Sequence, residues 1–186
     1  MDFITYLKRK LSIDSNTEFE LMRILNKKIY RRGDIVRKID SSNENIYFVE
    51  TGYARVYYVK GNKDITFYFL GENSFSLPVD TVFFDTISRY GIQAETEIVV
   101  VSFNLKEFLK IFEDNSKIDK LLQHEMVCFI KLISDKLFSI QLQTAQERYD
   151  TMINTYPEIM QNVSLGHIAS YLGITQETLS RVRGGY

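Results

Sequence analysis

Six polar residues near the end of the chain, Thr175, Gln176, Glu177, Thr178, Ser180 and Arg181, have the chemistry and spacing to read a DNA groove. Arginine pairs bidentately with guanine, glutamate accepts from the cytosine amino group, and glutamine pairs with adenine. The hydroxyls of Thr175, Thr178 and Ser180 suit phosphate oxygens. Their frame is a helical pair. Ser164 is placed to cap a helix whose inward residues are Ile168, Tyr171 and Leu172, with the small Ala169 where the helices cross. Gly173 supplies the positive φ of a tight turn, Ile174 plugs the angle, Thr175 caps the second helix, and Leu179 with Val182 faces back. This order predicts a helix-turn-helix whose second helix enters the major groove. The plain alternative is a helical hairpin with a solvated polar face.

Other chemistry finds little support. His124 and Cys128 form an i, i+4 pair that could touch zinc or haem, but two ligands are incomplete, and a cysteine on an apolar helix is usually core. The single cysteine excludes an intrachain disulfide and an iron–sulfur cluster held by this chain alone. A metal-dependent jelly-roll enzyme needs clustered His and carboxylate ligands, whereas both histidines fall in helices outside the strands. Gly-rich phosphate loops, nucleophile elbows and paired catalytic carboxylates are absent. The expectation is no catalytic residue, no metal and no cofactor.

The elements that position the reader follow from periodicity. Phe3, Leu7 and Leu11, then Phe19, Met22 and Leu25, mark two short helices, with Ser15 or Asn16 a candidate N-cap for the second. From about 28 to 104 the period becomes two: NIYFVE (45–50), ARVYYV (54–59), DITFYFL (64–70) and EIVVVSF (97–103) read as strands. Turn signals stand between them at 32–34, 41–44, 51–52, 61–62 and 71–73, and 58–65 reads as a hairpin. Closely spaced short strands of this kind argue for an antiparallel sandwich or barrel. The 12 Tyr and 13 Phe, with no Trp, suit such half-buried surfaces.

Helical spacing returns at 105–112 and again from about 116. There Ile118, Leu122, Met126, Phe129, Ile133, Leu137 and Ile140 form one stripe, widened by Leu121, Val127, Ile130, Leu132 and Phe138. A helix apolar on two sides must bury against two things. The sheet covers one side; a second copy of the helix covers the other if the protein is a dimer, and the monomer covers both if it is not. A further helix at 144–156 stops at Pro157.

The net charge of −1 is unevenly spread. Residues 1–40 hold ten Lys/Arg against six Asp/Glu, whereas 144–186 hold three Arg and four acids. That acidic balance argues against tight non-specific DNA binding, which works through phosphate neutralisation. No apolar run reaches the ~18 residues of a membrane span, and the basic residues of the first helix follow its apolar ones, unlike a signal peptide. Cytoplasm is the expected location.

The segment IASYLGIT at 168–175, with ETLSR at 177–181, resembles the Crp/Fnr family of bacterial regulators, and the resemblance runs through nearly the whole chain. The Arg32-Gly33-Asp34 turn and the strand from Gly52 through Arg55, Val56 and Tyr57 resemble its sensor domain more loosely. The resemblance implies an α+β fold in three parts. These are a cyclic-nucleotide-binding-like antiparallel β-roll or jelly roll (1–115), a dimerisation helix (116–142), and a helix-turn-helix domain (143–186) that is short or truncated and lacks a complete wing. It puts Gln176, Glu177 and Arg181 at base-contacting positions and implies a homodimer on a palindromic site, with a small-molecule effector and no membrane partner.

Two departures from the family pattern bear on that expectation. Family members that bind cyclic AMP carry a Gly-Glu pair for the ribose and an Arg-Ser or Arg-Thr pair for the phosphate. This chain has Leu77-Pro78 and the reversed Ser88-Arg89. Adjacent residues on a strand face opposite ways, so reversal turns the guanidinium away from the pocket. Ser88 and Arg89 remain the candidate effector residues, for something other than cyclic AMP. The sequence also ends Arg183-Gly184-Gly185-Tyr186, where glycines favour termination, so the second helix is expected to be about two turns long. The competing reading is a ligand-sensing or protein-interaction module with a vestigial helix-turn-helix.

Overall fold

The computed structural model describes residues 1–112 and 116–184. The chain opens with α1 (Phe3–Lys10) and α2 (Ser15–Ile24). Eight strands follow: β1 (Asn26–Tyr30), β2 (Ile35–Arg37), β3 (Asn45–Thr51), β4 (Ala54–Lys60), β5 (Lys63–Leu70), β6 (Phe75–Ser76), β7 (Gly91–Ala94) and β8 (Ile98–Asn104). They make two antiparallel sheets in the orders β1-β8-β3-β6 and β2-β7-β4-β5. This is the expected α+β fold built on an antiparallel roll.

The sheet containing β3 and β8 is covered on both faces. One set of side chains, including Tyr47, Val49, Ile98 and Val100, packs inward with Val56, Tyr68 and Ile92 of the other sheet. The alternate set, Ile46, Phe48, Val101 and Phe103, packs outward under Phe3 and Leu7 of α1, Leu21 of α2, and Phe108 of α4 (Leu105–Ile111). Residues alternate between the faces of a strand, so burial on both faces turns β3 into a nearly continuous apolar run. Gly52, at φ 84°, turns the chain between β3 and β4; a Cβ there would lie 2.4 Å from the Glu97 carbonyl oxygen.

Two local expectations for α2 are corrected. Its N-cap is Asp14, whose carboxylate accepts from Thr17 N at 2.7 Å, rather than Ser15 or Asn16, which begin the helix. Phe19 and Met22 point outward, 62% and 59% exposed, while Leu21 is buried and Ile24 and Leu25 pack beside it. The helix lies against the core along the face one residue round from the expected stripe. Short elements without a full period also went unpredicted, among them β2, β6, β7 and α3 (Val79–Phe84).

α5 (Ser116–Leu142) runs from the roll to the C-terminal helices α6 (Ala145–Thr155), α7 (Pro157–Asn162), α8 (Leu165–Leu172) and α9 (Gln176–Gly184). Thr144 and Glu147 form a capping box at the start of α6. Pro157 ends that helix and also starts α7, because proline is tolerated in a first helical turn, where its missing N–H costs nothing. A third core, of Met152, Ile159, Val163, Ile168, Ala169, Leu172 and Leu179, holds these four helices together.

Candidate nucleic-acid interface and the docking of its first helix

The helical pair forms as its residues dictate. Ser164 Oγ accepts from His167 N at 3.3 Å, Gly173 adopts φ 68°, and Ile174 N donates to the Ala169 carbonyl at 3.0 Å. Thr175 Oγ accepts from Thr178 N at 3.2 Å and lies equally close to the Thr178 hydroxyl. Ile168, Ala169, Leu172 and Leu179 are buried, with Ile174 packed at the edge of their cluster. Val182 is only half-buried. α9 ends at Gly184, about two and a half turns long, and Gly185 and Tyr186 lie outside the described residues.

The structure brings the six candidate reading residues to the start and outer side of α9. Thr175, Gln176, Glu177, Ser180 and Arg181 are exposed and Thr178 is half-buried. Hydrogen bonding to Thr175 holds the Glu177 carboxyl below its ordinary range, with the Arg181 charge adding to the effect. An ionised Glu177 accepts hydrogen bonds and cannot donate one. The Thr175 oxygen is already engaged as a helix cap.

Sequence reasoning missed how α8 sits on the roll. β5 is the outer strand of its sheet, and an outer strand presents unpaired backbone groups. Ser170 Oγ covers that edge, accepting from Thr66 N at 2.9 Å and donating to the Asp64 carbonyl at 3.2 Å. His167 Nδ1 lies 2.5 Å from Glu95 Oε1, the Tyr53 hydroxyl meets Glu158 at the start of α7, and Tyr171 packs on Phe69. Behind this contact the Arg55 guanidinium, 2% exposed, bonds Asp64, Gln93 and Thr66, and its Nε lies 3.3 Å from Glu95. Asp64 and Glu95 thus touch both the buried arginine and α8. The only prior signal was a charged residue inside each of two otherwise apolar strand regions.

α5 presents two different sides. Ile118 and Leu121 are buried in the outer core, and Leu122 packs beside them, so Ile118 and Leu122 of the expected stripe are taken up by the chain's own roll. Phe129 stacks edge-on against Tyr68, and Leu132 adjoins the inner core. Met126, Val127, Ile130, Leu137 and Phe138 face away from the roll and are exposed, Ile130 by 63%; Ile133 is half-buried.

At the candidate effector position Ser88 is buried and Arg89 exposed. The reversed pair therefore turns its hydroxyl inward and its guanidinium to solvent. A different arginine, Arg37 of β2, is buried nearby and donates to the carbonyls of Tyr90 (2.5 Å), Ser41 (3.0 Å) and Asn43 (3.4 Å). Among the described residues no group of three or more His, Cys, Asp or Glu side chains is placed to hold a metal. The His124–Cys128 pair stands alone on exposed helix surface, with the sulfur 3.6 Å from Nε2. No described helix is long and apolar enough to cross a membrane.

Comparison with known proteins bears on both halves. Residues 27–115 match the cyclic nucleotide-binding domain family. The anaerobic regulatory protein of Haemophilus influenzae is 24% identical over 184 residues, spanning 88% of this chain and 67% of its own. Among solved structures, FixK2 from Bradyrhizobium japonicum superposes with a TM-score of 0.74 at 19% identity, covering 87% of this chain and 84% of that one. A protein from Eubacterium rectale assigned to the crp/fnr family of transcriptional regulators gives 0.73 at 16% identity, covering 95% and 83%.

Proposed function

We propose that the chain is a regulator of Crp/Fnr type: a homodimeric, DNA-binding transcription regulator whose roll senses a small molecule other than cyclic AMP. The Haemophilus influenzae and Eubacterium rectale relatives carry regulatory names, and in this reading the chain is a regulator and not an enzyme. The observation that carries the DNA reading is the cluster of exposed polar side chains at the start of α9, on a helix fixed by the α8 turn. In this reading Gln176, Glu177 and Arg181 contact base edges, while Thr175, Thr178 and Ser180 contact phosphates or sugars. The outer apolar row of α5 pairs with the same row of a second copy. That places two α9 helices about one DNA turn apart on a two-fold site.

The parts divide at 1–115, 116–142 and 143–186, and the protein works in the cytoplasm. The reading against cyclic AMP is supported by Leu77-Pro78, which offers no carboxylate to the ribose, and by the solvent exposure of Arg89. Calorimetric titration with cyclic AMP is expected to give no micromolar isotherm.

A second reading, an interaction module with a vestigial helix-turn-helix, draws on the acidic balance of 144–186. Selection of bound duplexes from a random pool separates the two. An enriched two-fold motif supports the regulator, and no enrichment at low salt supports the module.

A further inference from the structure

Where α5 meets the C-terminal helices there is a cavity of about 120 Å³, lined by α5, α6, the turn at Tyr156, and α8. Its charge is unbalanced. Lys136 lies 4.0 Å from the Tyr171 ring centre and bonds the carbonyl oxygen of Phe67, with no carboxylate in ion-pair range among the described residues. Arg148 reaches the Ile140 carbonyl through Nη1 at 3.4 Å, and its Nε is buried with no partner. The one carboxylate on the wall, Asp135, is already bound through both oxygens to Lys131. Apolar side chains and hydroxyl groups share the rest of the lining; among the latter are Thr151, which accepts from Gln143 at 3.5 Å, and Tyr156 and Tyr171, whose hydroxyls make no hydrogen bond among the described residues.

Two cations without acidic partners in a partly enclosed space are costly, since charges taken out of water need a counter-charge. Hydroxyl donors around them favour an acceptor-rich occupant over a cation or an apolar molecule. The volume admits a few water molecules or one small polyatomic ion.

We propose that this cavity binds a small free oxyanion of phosphate size, held by Arg148 and Lys136 with the hydroxyls of Thr151 and Tyr156. Its walls come from the helix rooted in the roll and from two helices of the reader, so an occupant fixes their relative position. This site is separate from the roll interior and does not depend on the DNA reading.

The test uses the full chain and inorganic phosphate, followed by 31P line broadening and by thermal stabilisation. Two charge-assisted contacts support affinity near the millimolar scale. Wild type should therefore saturate, and Arg148→Gln should weaken binding by about tenfold or more. Lys136→Met should weaken it similarly, and Thr151→Val serves if either variant fails to fold. The control is Lys120→Gln, in the open surface groove lined by Lys10, Lys117 and Lys120, and it should change nothing. Absence of saturable binding up to roughly 10 mM phosphate, ten times that scale, overturns the proposal. So does binding that survives the cavity variants or is lost in Lys120→Gln.

Discussion

The roll and the helices after it handle apolar surface in opposite ways. In the roll, sheet faces on sheet within, and α1, α2 and α4 cover the outer side, leaving Phe83, Phe84 and Ile87 as its main uncovered cluster beyond α2. Even its most buried cation, Arg55, is satisfied by its own neighbours. α5 instead keeps a row from Met126 to Phe138 open to water along half its surface. A large contiguous apolar surface left open in this way marks an interaction site. The difference teaches that the roll's apolar surface is covered within the chain, with Ile118 and Leu121 of α5 and Ser170 of α8 closing it, while the outer row of α5 is left for something else to cover.

The sharpest way to break the roll's self-sufficiency is Arg55→Ala. It would leave Glu95 with His167 as its remaining partner and take the donor from Gln93, while the half-exposed Asp64 turns to water; removing one partner of a buried charge network costs about 3–5 kcal/mol. Urea unfolding should show a loss of that size; a loss below about 1 kcal/mol would mean solvent already satisfies the network. The complementary variant attacks the open side. Ile130→Glu places a charge on the α5 row without touching a buried contact, so sedimentation should show dimer weakening by about 100-fold, roughly 2–3 kcal/mol. Monomer stability should stay within about 0.5 kcal/mol.

A smaller effect lies at the junction. Burial brings the Lys136 ammonium down from 10.5 to about 8. Between those values the unfolded chain binds the extra proton, so stability from this group rises with pH through the window. Compared with Lys136→Met, wild type should gain on the order of 1–2 kcal/mol between pH 8 and pH 10, allowing for partial exposure. The comparison ends there because burial raises Tyr171 to about 12, and a tyrosine so shifted loses stability as pH climbs further.

The helical pair of α8 and α9 and the two-sided α5 were legible because both are local. Capping, a positive-φ glycine and helical periodicity all act within a few residues, so Ser164, Gly173 and Thr175 did what their types dictate. α2 was misread because its orientation is set by where α4 and the β3–β8 sheet lie, and Phe19 and Leu21 are equally apolar in sequence. The candidate effector pair was legible only as an order of residues: alternation predicted that Arg89 turns outward, but nothing local revealed that the distant Arg37 is buried against the Tyr90 carbonyl beside it. The docking of α8 was invisible for the same reason. Ser170 bonds a strand a hundred residues away, and His167 finds its carboxylate at Glu95.

The central claim is that α9 reads base sequence as part of a symmetric pair. The most direct measurement is the DNA sequence preference of Arg181→Ala set beside that of wild type, at equal salt. The account predicts a two-fold motif for wild type, and for the variant a loss of about 1–3 kcal/mol with relaxed preference at one position in each half-site. An unchanged motif, or uniform weakening at every position, would contradict it.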